Sequence, residues 1–163
     1  MSQSCRLPDV GQIDRSRTLR FTFDGQSYEG HPGDTIASAL LANGVHLMGR
    51  SFKYHRPRGV LGAGVEEPNA LMGLTTGPGK FEPNARATCV PLVDGMIVQS
   101  QNRSPSLARD VGAVNDMASA FIPAGFYYKT FMWPRSFWAR VYEPVIRRAA
   151  GLGLPPTQAD PDR

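Results

Sequence analysis

The chain has 163 residues, enough for one packed domain with an appendage. Its 41% hydrophobic and 20% charged residues are an ordinary globular balance, and no apolar run approaches the roughly 20 residues that a membrane helix needs. The net charge of +4 is divided between residues 50–58 and 135–148 rather than gathered on one face with aromatic platforms, which argues against nucleic acid as a partner.

Residues 1–17 read as a flexible leader rich in Ser, Arg and Asp, without the apolar stretch of a secretory signal, so a cytoplasmic location is expected. Cys5 lies in this leader, and a reducing cytosol gives no reason to expect a bridge to Cys89. Residues 18–23 alternate Leu19, Phe21 and Phe23 with polar partners, the pattern of a half-buried strand. Asp24-Gly25 is a two-residue hairpin turn, returning the chain through residues 26–31. Asp34 is placed as the N-cap of a helix over residues 35–42, with Ile36, Ala39 and Leu40 on one stripe and Asn43-Gly44 as its C-terminal stop. A hairpin followed by a crossing helix and further short strands is the β-grasp order, an α+β fold.

The loop over residues 50–69 carries four cations and a histidine between Arg50 and Arg58, then Gly59, Gly62 and Gly64. The glycine order is G-x-x-G-x-G, and it follows Arg-Pro-Arg rather than a buried strand, so a dinucleotide loop fails on context. The loop resembles that of a plant-type [2Fe–2S] ferredoxin domain. Laid on the C-x4-C-x2-C spacing, Leu61, Glu66 and Asn69 take the three thiolate places, and Cys89 falls near the fourth. One thiol cannot hold a cluster. His55 could bind a phosphate or a carboxylate, while Glu66 and Glu67 read as countercharges to Arg56 and Arg58. No Ser/His/Asp order or pair of poised carboxylates points to catalysis.

Beyond the loop, residues 70–74 read as a strand, 75–82 as a turn region, and 87–93 as an edge strand because of Pro91. Asp94-Gly95 then turns into a last strand over 96–100. That gives a β-grasp domain over residues 18–102. Residues 103–153 form an aromatic and helical extension, with a helical piece over 113–120 and another opened by Pro134 and interrupted at Pro144. Such an aromatic stretch needs a surface to lie against. Residues 154–163 read as a linker to a further domain. The candidate interface residues are Arg50, Phe52, Lys53, Tyr54, His55, Arg56 and Arg58 from the loop, with Phe126, Tyr127, Tyr128, Phe131, Trp133 and Trp138 from the extension.

Several longer motifs occur in one order: Arg-Ser-Phe-Lys-Tyr-His-Arg-Pro-Arg-Gly from Arg50, Glu-Glu-Pro-Asn-Ala from Glu66, Ser-Gln-Asn-Arg from Ser100, and Pro-Ala-Gly-Phe-Tyr-Tyr-Lys-Thr-Phe-Met-Trp-Pro from Pro123. From about residue 18 onward the chain resembles the N-terminal portion of the α subunits of heterotetrameric sarcosine oxidases. The resemblance implies a β-grasp domain without a cluster, placed ahead of a dinucleotide-binding region and a folate-binding region of the same subunit. It also implies a complex that converts sarcosine to glycine with tetrahydrofolate and dioxygen, releasing hydrogen peroxide. FAD, covalently attached FMN, NAD and zinc would belong to that whole complex, with no cofactor on this segment. The partners implied are the remainder of the α subunit and the β, γ and δ subunits. Related amine and opine dehydrogenases keep the cysteines in a similar small domain, so an electron-transfer ferredoxin-like subunit is the alternative; Leu61, Glu66 and Asn69 favour the oxidase.

Overall fold

In a computed structural model, which describes residues 3–121 and 133–149, the alternation over residues 18–23 becomes strand β1 (Leu19–Phe23), with Leu19, Phe21 and Phe23 buried. Asp24 and Gly25 both take positive φ, 50° and 82°, the geometry that lets a two-residue turn follow the strands' own twist. Strand β2 (Gln26–Gly30) returns antiparallel, setting Tyr28 opposite Phe21 with ring centroids 5.9 Å apart.

Helix α1 (Ile36–Ala42) buries Ile36, Ala37, Ala39, Leu40 and Ala42. Its N-cap is Thr35 rather than Asp34. The Thr35 hydroxyl accepts the Ser38 amide while the Ser38 hydroxyl accepts the Thr35 amide, a reciprocal pair that satisfies two otherwise orphaned donors. Asp34 instead gathers donors from three directions. Its buried carboxylate takes the Arg6 guanidinium at 2.7 Å, the His31 amide and the Ser38 hydroxyl. At the other end Gly44, at φ 76°, donates to the Leu41 carbonyl and Val45 donates to Leu40, closing the helix as Asn43-Gly44 predicts.

The remaining strands are β3 (Gly49–Arg50), β4 (Pro57–Arg58), β5 (Leu71–Gly77), β6 (Lys80–Arg86) and β7 (Ile97–Ser100). The main sheet runs β2-β1-β7-β5-β6, with β1 and β7 parallel and every other pair antiparallel; β3 and β4 form a separate two-stranded ladder. Helix α1 against this mixed sheet makes an α+β β-grasp, and Phe21, Ile36, Leu40, Met48, Met72, Leu74 and Val98 fill the space between. Among the described residues no helix is long and apolar enough to cross a membrane.

The second hairpin departs from what the sequence predicts. Residues 75–82 are mostly strand, turning at Pro78-Gly79, and the partner strand is residues 80–86 rather than 87–93. Met72 pairs with Ala85 and Leu74 with Glu82, so Pro83 and Asn84 fall in a bulge opposite Gly73. An edge strand with a bulge is where a proline can sit without breaking a ladder. Residues 87–91 instead serve the helix: the carbonyls of Ala87 and Val90 accept the amides of Ala37 and Ile36.

Residues 3–17, read as a flexible leader, lie along the domain, with the Cys5 amide bonded to the Ala42 carbonyl and Asp14 to Pro32. After β7 the core continues past residue 102, since Leu107 joins it. The helical piece placed at 113–120 is divided into a 3-10 turn (Val111–Ala113), α2 (Val114–Met117) and a second 3-10 turn (Ser119–Phe121). Farther on, a 3-10 turn (Arg135–Phe137) and a π turn (Trp138–Tyr142) lead into α3 (Glu143–Ala149). The π turn ends two residues ahead of Pro144, whose missing amide would interrupt an α ladder running on from it.

Candidate functional site

The β3–β4 hairpin holds the cationic segment, and two of its part-buried side chains, Arg50 and His55, face inward. The Arg50 guanidinium donates to the Leu107 carbonyl at 2.6 and 3.0 Å and to the His55 carbonyl at 2.8 Å. His55 Nδ1 lies 2.6 Å from Asp110 Oδ2, and Arg50 Nε lies 3.5 Å from the same oxygen. The other Asp110 oxygen accepts the Ser104 amide at 2.8 Å and the Gly112 amide. The Asp110 side chain is wholly enclosed. Burial opposes its charge, but the Ser104 amide and the His55 ring outweigh that and hold its carboxyl below the ordinary value. A side chain at Gly112 would overlap the His55 ring, so glycine is required for the close approach. His55 therefore does bind a carboxylate, and that carboxylate belongs to the chain itself.

The outward part of the hairpin is an aromatic and cationic cleft of about 540 Å³, lined by Phe52, Lys53, Tyr54, Arg56, Arg58 and Asn69 among others. Lys53 and Arg56 each stand 4.8 Å from the Tyr54 ring centroid. Arg56 also reaches Asp116 at 2.7 Å, an exposed pair worth roughly 0–1 kcal/mol. Thus five of the loop's candidate interface residues line one cleft, while Arg50 and His55 hold residues 103–113. Trp133 is 84% exposed and Trp138 half-buried; Phe126, Tyr127, Tyr128 and Phe131 lie outside the described residues.

The glycine loop is organised by two carboxylates, and neither acts as a countercharge to Arg56 or Arg58. Glu67 is fully buried. Its Oε2 accepts the amides of Leu61 and Gly62, both at 2.6 Å, and its Oε1 accepts those of Asn69 at 2.6 Å and Ala70 at 3.0 Å. Burial pushes its carboxyl up, but the four amides prevail and hold it below the ordinary value. Exposed Glu66 accepts the amides of Ala63 and Gly64. No helix follows the glycines, in keeping with the rejected dinucleotide reading.

The donor set does not fit an iron–sulfur cluster. The whole sequence contains two cysteines, whereas such a cluster needs four thiolates or a mixture with histidine. Leu61 has no donor atom, and the side chain of Glu66 is engaged with the loop's own backbone. Cys89 does stand beside the loop, since its neighbour Thr88 donates to the Gly64 carbonyl at 2.8 Å. Cys5 is bonded to the end of α1, away from it. Among the described residues no three His, Cys, Asp or Glu side chains converge as a metal would require.

Asp34, Glu67 and Asp110 all have lowered carboxyl values, for burial in each is overcome by hydrogen bonds or ion pairs. The unfolded chain then binds more protons than the folded one at acid pH, so stability is full above the unfolded range of about 4 and falls as pH drops below it. The melting temperature should hold between pH 7 and 5 and decline steeply toward pH 3. A flat profile to pH 3 would contradict this.

Glu67 is not legible in the sequence as a structural anchor, and Asp34 is legible only as a helix cap. For Asp110 a signal exists, because an aspartate two residues ahead of Gly112 can cap a turn, and it does cap Val111–Ala113.

Comparison with known proteins bears on the same residues. The model of the 2Fe-2S iron-sulfur cluster binding domain matches residues 16–103. The sarcosine oxidase subunit alpha of Rhizobium meliloti (strain 1021) is 61% identical over 159 residues, covering 98% of this chain and 16% of the relative. That of Corynebacterium sp. (strain P-1) is 41% identical over 123 residues, 71% of this chain and 12% of the relative. The chain therefore spans a small fraction of the length of these relatives. L-proline dehydrogenase from P. horikoshii aligns over 54% of this chain and 16% of its own at 25% identity, with a TM-score of 0.42. With its β-grasp sheet, its crossing helix and the match over residues 16–103, the chain belongs to the 2Fe-2S iron-sulfur cluster binding domain family and is a homologue of sarcosine oxidase α subunits, although its own loop lacks the thiolates.

Proposed function

We propose that this chain is a structural and interface module of a cytoplasmic flavoprotein complex of the sarcosine oxidase kind, with no catalysis of its own. In this reading the complex demethylates sarcosine to glycine, using tetrahydrofolate and dioxygen and giving hydrogen peroxide. FAD, FMN, NAD and zinc are held by the remainder of the α subunit and the β, γ and δ subunits. The names of the relatives support the complex. The role of the segment rests on one observation: large apolar side chains between residues 111 and 145 are left in solvent. Met117 is 86%, Phe121 88% and Trp133 84% exposed, while the sheet's own core is filled. Apolar surface concentrated in this way marks a docking site, with aromatics as its anchors.

The chain co-expressed with the remaining polypeptides of the complex should co-elute with them on gel filtration. The variant Met117→Ser/Phe121→Ser/Trp133→Ser should bind at least about tenfold more weakly, since aromatic anchors carry about 2 kcal/mol or more each. Its melting temperature should match the parent, because the substituted side chains are exposed. Failure of the parent chain to associate, or equal binding by the variant, would refute the reading.

A further inference from the structure

We propose that the glycine loop is an anion cradle filled from within, with the Glu67 carboxylate as the resident anion in the place this family gives to an iron–sulfur cluster. A plant-type loop wraps an anionic cluster and directs backbone hydrogen bonds at its sulfurs. Here the loop keeps that kind of wrapping without the thiolates. Leu61 and Asn69, which stand at two of the three ligand positions, both turn their amides to Glu67, as do Gly62 and Ala70. Ahead of Glu67 the Gly64 carbonyl is tied to Thr88, and just after it the Ala70 carbonyl accepts the Ala87 amide. Both flanks of the cradle are thereby pinned to the segment that carries Cys89.

The physical need is direct. Four backbone donors converging at the edge of the core leave a pocket of positive potential that something anionic must fill, and each donor left unmet in a dry site is unfavourable. Glu67 is 1% exposed and meets all four with its two oxygens. Loss of the cysteines is then compatible with a formed loop, because the anion no longer has to be delivered. The ligand class that the emptied cradle should take is a small carboxylate.

The test uses the whole chain and acetate as the probe. Glu67→Ala should melt below the parent, and acetate should raise its melting temperature saturably, beyond the effect of chloride at equal ionic strength. The parent should show no such difference between the two salts. Glu67→Gln, which fills the cavity but replaces an acceptor with a donor, should not be rescued. In Glu67→Gln the amides of Leu61, Gly62, Asn69 and Ala70 should exchange hydrogen about tenfold faster or more, with the Phe21 and Val98 amides unaffected. This second measurement stands if Glu67→Ala does not fold. Unchanged exchange at those four amides, or an acetate response equal in Glu67→Ala and the parent, would overturn the proposal.

Discussion

Phe21→Ala should destabilise the chain by about 3–5 kcal/mol, the range for emptying a well-packed aromatic site. Phe21 sits in the middle of β1, which is hydrogen-bonded to β2 on one side and pairs in parallel with β7 on the other. Its ring is 2% exposed and packs against Tyr28, so no solvent can relieve the cavity. A domain of this size has a net stability of only about 5–15 kcal/mol, and such a loss would take a large part of it. Urea unfolding is the direct measurement. A change below about 1 kcal/mol would mean that the sheet does not close around this ring as described.

Asp110→Ala should cost about as much, 3–5 kcal/mol, for a different reason. The substitution strands the His55 ring, removes the anion nearest Arg50, and leaves the Ser104 amide without its acceptor. The expected damage is local. Residues 103–121 should become sensitive to protease while amides of β1 and β7 keep their protection, because with Asp110 gone the segment keeps only the Arg50 bonds to the Leu107 carbonyl from the hairpin's inner face. Asp110→Asn should retain the amide contacts and lose the charge, giving a smaller effect. Equal protease resistance in parent and Asp110→Ala would remove the case for a clamp between the hairpin and the extension.

Local signals make the first half of the fold legible. The Leu19, Phe21 and Phe23 alternation, the Asp24-Gly25 turn and the Asn43-Gly44 stop are each decided by residues adjacent in sequence, and the structure agrees at all three. The hairpin of β5 and β6 is misplaced by sequence reasoning because Gly77, Pro78 and Gly79 read as a broad turn region, whereas the strands run up to Pro78-Gly79 on both sides and take in Pro83 through a bulge across from Gly73. That bulge is a tertiary fact. Asp34 belongs to the right end of the right helix but stands one residue from the cap, since Thr35 with Ser38 forms the reciprocal pair and Arg6 claims the aspartate.

The site is legible in one sense and hidden in another. The missing ligands at Leu61, Glu66 and Asn69 are a statement of chemistry, and sequence suffices for it. The partners of Glu67 and Asp110 are backbone amides and a histidine 55 residues away, which no residue pattern displays. Charge alone suggests pairing with Arg56 and Arg58. Enclosure decides otherwise, because a buried carboxylate ringed by amides gains more than an exposed ion pair can offer.

A ferredoxin-type frame whose loop lacks the thiolates should hold no iron. The chain should be produced with iron and sulfide in excess, then assayed for iron, for visible absorption and for melting with and without a strong chelator. A colourless chain with negligible iron and one melting temperature in both conditions is expected. About two irons per chain, with absorption in the visible and a melting temperature that falls on chelation, would contradict it.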